Sequence, residues 1–400
     1  MGLRYGKQSR AGYVWLAAAI LLVASVAGGF FALRFSQTAP KQKHRVAENV
    51  SQQAPEQINQ NLIGRYLLNG TVTWARAVEQ QARGDYNQPF SMLNSFDRDK
   101  YDAWSADFEC PITNNTVPYQ TQINKLIFNC RPEFLPSAAK YFNIFNLANN
   151  HTGDQGGEKG LQQTRQHLEA AGVQYFGTFD SADSQNVCEV IALPVRIQKP
   201  DKTEQKAAIP VAMCGWQYFG RKPLPGELEA MDAYTKIMPV FAFVEMGTEY
   251  LPKATENQVN IAHQIIAQDP EFLVANNPHW VQNTEVYKGK LIVYSLGNFI
   301  FDQLDSETNR SASIDATMTA THDDNLAKWI ALAPTCKAFH DDCLAKAQAQ
   351  GLSKVKLNLK YAVVAGQNGY KETTRKADAA TQKAVEDRLN WPQTLMQLGQ

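Results

Sequence analysis

The sequence predicts an α/β fold in which strands alternate with helices and end in polar loops. Apolar stretches of strand length alternate with amphipathic stretches of helix length along most of the chain. Four polar segments, DFEC, ANNH, VEMG and NNPH, follow such apolar stretches. Because ligands in open α/β sheets bind beyond the carboxyl ends of the strands, these segments predict a functional site at one edge of the sheet.

Length and charge limit the classes of protein that fit. The 400 residues suffice for one large domain or two ordinary ones, and the hydrophobic fraction of 44% is typical of a folded globular chain. Lys+Arg and Asp+Glu both number 39, so the formal net charge is zero. Binding to nucleic acid requires an excess of basic charge on one face, so we expect no nucleic-acid partner.

An uncharged segment near the N-terminus, residues 11–33, is long enough to cross a membrane as a helix. Arg4, Lys7 and Arg10 precede it, and a basic flank favours the cytoplasm. The sequence therefore predicts a single-pass protein of the cell membrane. Residues 1–10 are the predicted cytoplasmic N-terminus, residues 11–33 the transmembrane anchor in the lipid bilayer, and the body faces outward, extracellular or periplasmic.

Two other interpretations of this segment stay open, a cleavable signal peptide and a buried core helix. Basic residues also follow the segment, which reduces the charge bias that sets the orientation. Residues 34–60 are predicted to form a flexible stalk, because a composition rich in Gln, Ala, Lys and Pro has no apolar period.

The folded domain is predicted to begin near residue 61. Strands are predicted over residues 61–74, 102–110, 141–151, 173–178, 186–198, 207–216, 238–247, 271–279 and 289–301, with one or two more over 352–369. Helices are predicted over residues 73–82, 156–171 and 257–268, and a further helix begins within 136–141. The polar residues 371–400 are predicted to form a helical C-terminal tail.

Six cysteines lie beyond the predicted anchor, at positions 110, 130, 188, 214, 336 and 343. None forms a CxxC pair, which argues against a thiolate zinc site. An even number in an outward-facing domain is compatible with disulfides, and closeness along the chain suggests the pairs 110–130, 188–214 and 336–343. Other pairings and isolated buried thiols stay open at this point.

The polar segments contain the residues that could perform chemistry. They are Asp107-Phe108-Glu109, residues 149–154, residues 245–250 and residues 276–279. Carboxylates, amides and imidazoles can ligate a metal or transfer protons. Each segment also has a purely structural interpretation, as a solvated turn acid, an Asx turn, an ordinary strand-to-loop transition or a structural histidine. The sequence has no GxGxxG, Walker A or GxSxG motif.

Three segments, LANNHTGDQGGEKGLQQTRQHLEAAGVQYFGT, NPHWVQNTEVYKGKLIVYSLGNFIFDQ and DFECPIT, contain ordered motifs with a consistent spacing. Together they resemble the CapA family of capsule (poly-γ-glutamate) synthesis proteins over roughly residues 61–370. The resemblance implies a calcineurin-like metallophosphoesterase-type fold, with two packed β-sheets flanked by helices in an α/β/β/α order. It also implies a site for two divalent metal ions at the strand ends.

The resemblance also implies roles for individual residues. Glu109 matches the carboxylate of the middle motif, Asn150 the metal-binding amide, and His279 the last histidine of a His-Pro-His motif. His151, next to the amide, would act as the acid. Asp154, in the same polar segment, is included with His151 among the predicted catalytic residues. His151 would protonate a leaving group while the metal activates a water or binds an oxyanion.

The chain departs from the family pattern at three of the positions expected to bind metal. Thr71 stands where the family has an aspartate, Glu245 where it has a histidine, and Asn277 at the first histidine of His-Pro-His. Glu245 can still ligate through oxygen, so it is included among the predicted metal ligands. The ligands that remain favour at most one hard ion, such as Mg²⁺ or Mn²⁺, instead of a two-metal centre.

Three functions follow as hypotheses. The domain can bind or assemble an anionic polymer such as poly-γ-glutamate, together with membrane-bound polymer synthase subunits, without efficient catalysis. It can instead be a metal-dependent hydrolase or transferase that acts on poly-γ-glutamate amide bonds or on a phosphoester. It can also be a plain structural surface domain.

Overall fold

The computed structural model describes residues 61–400, except 181, 183, 337–341, 370 and 372. The predicted cytoplasmic N-terminus, anchor and stalk, residues 1–60, lie outside the described residues. Among the residues that are described, no helix combines the length and the apolar character that a membrane crossing requires.

The described residues form fourteen strands and ten α-helices. The strands are β1 (Asn61–Val72), β2 (Ala103–Phe108), β3 (Ile144–Asn146), β4 (Gln174–Phe176), β5 (Cys188–Gln198), β6 (Glu204–Gln217), β7 (Val240–Glu245), β8 (Phe272–Asn276), β9 (Thr284–Tyr287), β10 (Lys290–Val293), β11 (Asn298–Ile300), β12 (Arg310–Thr321), β13 (Asn358–Asn368) and β14 (Thr374–Lys376). The helices are α1 (Arg76–Ala82), α2 (Tyr119–Lys125), α3 (Leu135–Ala138), α4 (Glu158–Ala170), α5 (Asp232–Thr235), α6 (Glu256–Ile266), α7 (Asp324–Leu332), α8 (Asp342–Ala349), α9 (Ala379–Leu389) and α10 (Trp391–Leu398).

Strand β1 is the branch point of the sheet. Its first residues pair antiparallel with β5, and its later residues pair parallel with β2. One branch continues through β2, β3 and β4, and the other through β5, β6, β7, β8, β10 and β9. Along its other edge β1 pairs with β12, which leads to β13 and β14. The strands therefore form a mixed, branched sheet.

Alternating side chains of the β1 to β4 branch enter two different hydrophobic cores. Leu68 and Ile144 pack in one core with residues of the β5 to β8 branch, such as Met213. Their neighbours Leu67 and Phe145 pack in the second core with residues of the preceding and following helices. This alternation is the period of two that a strand imposes on its side chains. The arrangement confirms the predicted α/β class, a mixed sheet with flanking helices.

The predicted strand over residues 289–301 is in fact two strands that pair with different partners. β10 pairs with β8 and β9, whereas β11 pairs with β1. Gly297 lies in the turn between them with φ of 71°, and its carbonyl oxygen accepts a hydrogen bond of 3.0 Å from the backbone N–H of Thr71. A Cβ at Gly70 would lie 2.0 Å from that oxygen, so this close approach requires glycine there.

Residues 371–400, predicted to be a polar helical tail, pack on the core. They form β14 and the helices α9 and α10. Val385, Leu389 and Trp391 are buried in the core that the β5 to β8 branch shares. The hydroxyl of Thr284 in β9 donates a hydrogen bond of 2.7 Å to the carbonyl of Leu389. The polar composition reflects the outer faces of these helices, while a few apolar side chains attach them to the domain.

The three disulfides suggested by the sequence are present, and together they pair all six cysteines. Cys188 and Cys214 occupy paired positions on β5 and β6. Cys336 and Cys343 close a short loop after α7. The pair Cys110–Cys130 lies beside the polar segments discussed next.

Candidate functional site

The polar segments meet at the carboxyl ends of two groups of parallel strands. Thr71 and Asp107 are paired positions at the ends of β1 and β2, and Asn146 ends the neighbouring β3. Glu245 and Asn276 are paired positions at the ends of β7 and β8. All five residues are buried. The placement agrees with the expectation that ligands bind where parallel strands end.

Asp107 is the centre of a buried hydrogen-bond network on the β1 to β3 side. Its carboxylate accepts hydrogen bonds from the Thr71 hydroxyl at 3.2 Å, the Asn146 amide at 3.0 Å and the Asn149 amide at 3.1 Å. Burial, and then the negative charge of Glu109, raise the pKa of Asp107 to about 7, although the three donors act in the opposite direction. The carboxylate that is absent at position 71 is thus present one strand away, in contact with Thr71.

His151 and Asp154 form a hydrogen-bonded pair in the loop after β3. The Nδ1 atom of His151 lies 2.7 Å from Oδ2 of Asp154, which also accepts a hydrogen bond of 2.7 Å from the backbone N–H of Phe128. An ionised carboxylate only accepts, so it selects the tautomer of His151 that carries a proton on Nδ1. The opposite nitrogen, Nε2, lies 3.9 Å from Oε1 of Glu109.

The disulfide Cys110–Cys130 lies next to the segments that support the His151–Asp154 pair. The Phe128 ring stacks on the His151 ring with centroids 3.8 Å apart. Cys130, two residues after Phe128, is joined to Cys110, the residue that follows Glu109. The bridge therefore ties the segment that supports the imidazole to the segment that carries the carboxylate.

On the other side of the site, His279 is oriented by Asn298. Nδ1 of His279 lies 2.8 Å from Oδ1 of Asn298, whose amide nitrogen donates to Gln303. Nε2 then faces Glu249, at 3.5 Å from Oε1. Burial lowers the pKa of His279, but the hydrogen bond to Glu249 and the negative charge of Glu109 outweigh it, so the net pKa is raised. The same hydrogen bond lowers the pKa of Glu249.

Glu245 and Asn276 differ from the groups described so far because their oxygens lack partners. Within the described residues, no hydrogen bond reaches the buried atoms Oε2 of Glu245 and Oδ1 of Asn276. Burial, and then the charges of Asp107, Glu109 and Glu249, raise the pKa of Glu245 well above its usual value. An unpaired buried oxygen is costly, and a bound cation is one way to satisfy it.

Asn150 and Asn277 differ in whether their side chains form hydrogen bonds. The side chain of Asn150 is half-buried, and it has no hydrogen-bond partner in the part of the chain that the structure describes. The amide of Asn277 instead donates a hydrogen bond of 2.9 Å to the carbonyl of Gly247. Asn150 is therefore free to ligate, whereas Asn277 fixes the loop after β7.

The structure brings most of the predicted site residues into one electrostatically connected group. Glu109 faces His151 and also acts on Glu245 and His279. Asn150 and Asp154 belong to the same loop as His151. The roles of these residues as ligands, acid or base stay predictions.

Sequence reasoning left out three residues of the site. Asp107 enters the sequence analysis only as part of a polar segment, although the predicted strand over residues 102–110 places Asp107 and Glu109, two residues apart, on the same face. Asn276, at the end of β8, was noted in the same way. Asn298 had no local signal, because its contact with His279 arises only when β11 joins β1.

The types of donor present, without an assembled cluster among the described residues, suit a hard cation. No group of three or more His, Cys, Asp or Glu side chains within the described residues is arranged to hold a metal ion. However, the two unpartnered oxygens of Glu245 and Asn276 lie on neighbouring strand ends, and Glu109 and the Asn150 amide add further oxygens. Oxygen ligands with one imidazole, that of His279, are the donors that Mg²⁺ or Mn²⁺ accepts.

The fold and the site define an α/β protein with an acidic, histidine-containing site at its strand ends. Residues 65–303 match the model of the family described as bacterial capsule synthesis protein PGA_cap. The match covers more than half of the chain, and the chain belongs to this family. This establishes the family that the sequence motifs resembled.

Two curated relatives share this region. The chain is 28% identical over 226 residues to the capsule biosynthesis protein CapA of Bacillus anthracis, covering 52% of this chain and 53% of the relative. It is 27% identical over 187 residues to the PGA biosynthesis protein CapA of Bacillus subtilis (strain 168), covering 43% of this chain and 46% of the relative. The chain thus spans about half the length of the curated relatives it matches.

Two solved structures are similar at a low level. A novel phosphatase of Mycoplasma pneumoniae has a TM-score of 0.35 and 11% identity, covering 82% of this chain and 97% of that protein. The protein TT1561 of Thermus thermophilus has a TM-score of 0.33 and 9% identity, covering 63% of this chain and 94% of that protein. TM-scores this low carry no structural argument.

Proposed function

We propose that the chain is a membrane-anchored protein of capsule polymer synthesis that holds an anionic polymer, such as poly-γ-glutamate, at the outer face of the membrane. The family membership supports a role in capsule synthesis. A relative named for PGA biosynthesis supports the choice of polymer. In this proposal, residues 11–33 anchor the chain, and polymer synthase subunits in the same membrane are its partners.

The three disulfides support an outward-facing domain. Disulfides persist in oxidising compartments outside the cytoplasm and are rare within it. All six cysteines are paired, and they lie in three separate parts of the domain. A chain that folded in a reducing cytoplasm would keep most of these thiols free.

The single observation that carries the proposed chemistry is the pair of unpartnered buried oxygens on Glu245 and Asn276. Glu109, Asn150, Glu245 and His279 would hold one Mn²⁺ or Mg²⁺ ion at a metallophosphoesterase-type site. When bound, the ion would supply positive charge that attracts an anionic group of the polymer. Asp107 holds the Asn146 and Asn149 amides in place, and Asn298 holds His279 with Nε2 toward the site.

Metal analysis of the full-length chain in mild detergent tests this function. We expect about one Mn²⁺ per chain after Mn²⁺ addition and dialysis, because the donor set offers one group of oxygen ligands. Glu245→Gln and His279→Ala should each reduce the bound metal strongly. The exposed Lys328→Ala serves as the control. A folded wild-type chain that binds no metal and no γ-linked glutamate polymer would contradict the proposal.

A second candidate function, hydrolysis or transfer at an amide or phosphoester bond, is favoured by the His151–Asp154 pair. Asp154 stabilises the protonated imidazole and keeps the Nδ1 proton in place, so the Nε2 proton can pass to a leaving nitrogen or oxygen. Oε1 of Glu109 lies 3.9 Å from that nitrogen, so the reacting bond would lie on the side of His151 that faces Glu109.

Turnover assays distinguish this candidate from simple binding. If the chain is an enzyme, cleavage or transfer of γ-glutamyl oligomers or a phosphoester should fall by about 10²-fold or more in His151→Asn. Asp154→Asn should lower turnover with less effect on substrate affinity, because Asp154 acts only through His151. Unchanged turnover in both variants would exclude this acid.

A further inference from the structure

A groove leads away from the site along helix α6. Its near half, with a volume of about 630 Å³, is lined by residues 218–222 and 247–250 and by the start of α6. Its far half, of about 620 Å³, is lined by one face of α6, by Tyr287 and by Lys222. Lys222 and Asn257 line both halves, so the two halves adjoin at these residues; together they are called the α6 groove below.

The near half of the α6 groove opens beside His279. Glu249, which lines the groove, lies 3.5 Å from Nε2 of His279. The ring of Tyr250, also in the lining, stacks on the His279 ring with centroids 5.8 Å apart. A ligand in this half of the groove therefore ends next to a residue of the proposed metal site.

The length of the groove fits an extended chain. Asn257, Asn260, Gln264 and Ala267 line it and recur at the spacing of one helix face. Ten residues of helix separate the first from the last, which corresponds to about 15 Å. An extended polypeptide of about four or five residues covers the same distance. A small substrate would fill only part of a groove this long.

Charge in the groove favours an anion. Lys222 is exposed, and its ammonium forms no ion pair with any described residue. Arg221 binds Glu227 through Nη1 at 2.9 Å, while its Nη2 is buried and has no partner in the described part of the chain. The far half has no carboxylate among its described lining residues. In the near half, Glu249 already faces His279.

Amide side chains in the lining favour a polyamide over a polyphosphate. Asn257 and Asn260 are exposed on α6, and no described residue forms a hydrogen bond with either side-chain amide. The amide nitrogen of Gln264 donates to the carbonyl of Asn260, which leaves the Gln264 side-chain oxygen to accept. A carboxamide both donates and accepts, so it matches the N–H and C=O groups of an amide bond. A phosphodiester offers only acceptors.

We infer that the α6 groove binds an extended chain of amide-linked units that carry carboxylates, with one end of the chain beside His279. Lys222 contacts carboxylates, and the amides of α6 contact the linkages between units. The inference rests on the proposed function and adds where the polymer lies, in which direction it leaves the site and which residues recognise it.

Binding of a fluorescent γ-linked glutamate oligomer to the full-length chain in mild detergent tests the groove. We expect Lys222→Ala combined with Asn260→Ala to weaken binding by about tenfold, the equivalent of about 1.4 kcal/mol. Lys328→Ala on α7 removes the same charge from an exposed position away from the groove and should bind like the wild type. In an acetylation experiment read by mass spectrometry, the oligomer should protect Lys222 and leave Lys328 reactive.

The possible failures are distinguishable. Wild-type binding by the double variant, with no protection of Lys222, would overturn the groove while polymer binding stands. Absence of oligomer binding by the wild-type chain would overturn both the groove and the polymer part of the proposed function. Equal competition by inorganic polyphosphate, with the same loss in the double variant, would overturn the polyamide class.

Discussion

The two sides of the site differ in how many of their buried polar atoms have hydrogen-bond partners. On the β1 to β3 side, Asp107 is fully surrounded by donors and His151 is fixed by Asp154. On the β7 to β8 side, Glu245 and Asn276 have buried oxygens without partners among the described residues. The difference teaches that the protein's own hydrogen bonds organise one half of the site, whereas the other half keeps buried oxygens that no described residue satisfies.

The largest predicted effect on stability is that of replacing Asp107, on the β1 to β3 side of the site. Asp107→Ala leaves the hydroxyl of Thr71 and the amides of Asn146 and Asn149 without their acceptor. Each of the three unsatisfied buried groups costs about 1–3 kcal/mol. Removing a buried carboxyl whose ionised form Glu109 repels offsets part of that cost, so we expect the unfolding free energy to fall by about 2–4 kcal/mol. Urea unfolding at pH 7 measures this. Asp99→Ala, at an exposed position, is the control and should change little.

Removing the disulfide Cys110–Cys130, next to the β1 to β3 side, should lower the unfolding free energy by a similar amount. Cys110 and Cys130 are separated by 20 residues, and opening a loop of that size costs about 3 kcal/mol in the chain-entropy model. The double variant Cys110→Ser/Cys130→Ser should lose stability by that amount and also loosen Phe128 against His151. Cys336→Ser/Cys343→Ser, which opens a shorter loop away from the site, should cost less. An equal loss in both variants would argue against a special role of the first bridge.

On the β7 to β8 side, a substitution should raise the unfolding free energy of the metal-free protein instead of lowering it. Glu245→Gln removes a buried carboxylate with an unpartnered oxygen, so the chelator-treated protein should gain about 1 kcal/mol at pH 7. With Mn²⁺ at about a hundred times its dissociation constant, the wild type should gain about 2.7 kcal/mol and the variant little. Thermal unfolding with and without the ion measures both. Destabilisation of the metal-free variant would refute the contrast between the two sides.

The smallest effect concerns the pair His279 and Glu249 in chelator-treated protein. The raised pKa of His279 makes its contribution to stability present below its usual value of 6.5 and lost as pH rises through the folded pKa. The lowered pKa of Glu249 makes its contribution present above 4.5 and lost as pH falls through the folded pKa. Glu249→Gln should therefore destabilise most between these values. A pH series of urea unfolding checks this, and a deficit that is constant from about pH 4 to about pH 9 would exclude the pairing.

Local patterns predicted most of the elements that build the site. Apolar stretches of strand length identified β1, β2, β3, β7 and β8, and the polar residues after β2 and β3 identified Asp107-Phe108-Glu109 and residues 149–154. The boundary between β10 and β11 could not be predicted, because a continuous run of strand-forming residues does not reveal that its two halves pair with different strands. The C-terminal helices were predicted without their packing, since only a few buried apolar residues attach them.

The sequence by itself determined the α/β class, the family and the positions of the polar segments, because each depends on local spacing or on motif order. It suggested the cysteine pairs by closeness along the chain, but only the structure chose among the possible pairings. Only the tertiary structure decided which side chains complete one another. Asp107 meets Thr71, Asn298 orients His279, and Glu245 lacks a partner among the described residues, because residues far apart in the chain meet only after the strands pair. Long-range pairing thus separates a half of the site that the protein's own hydrogen bonds organise from a half whose buried oxygens no described residue satisfies.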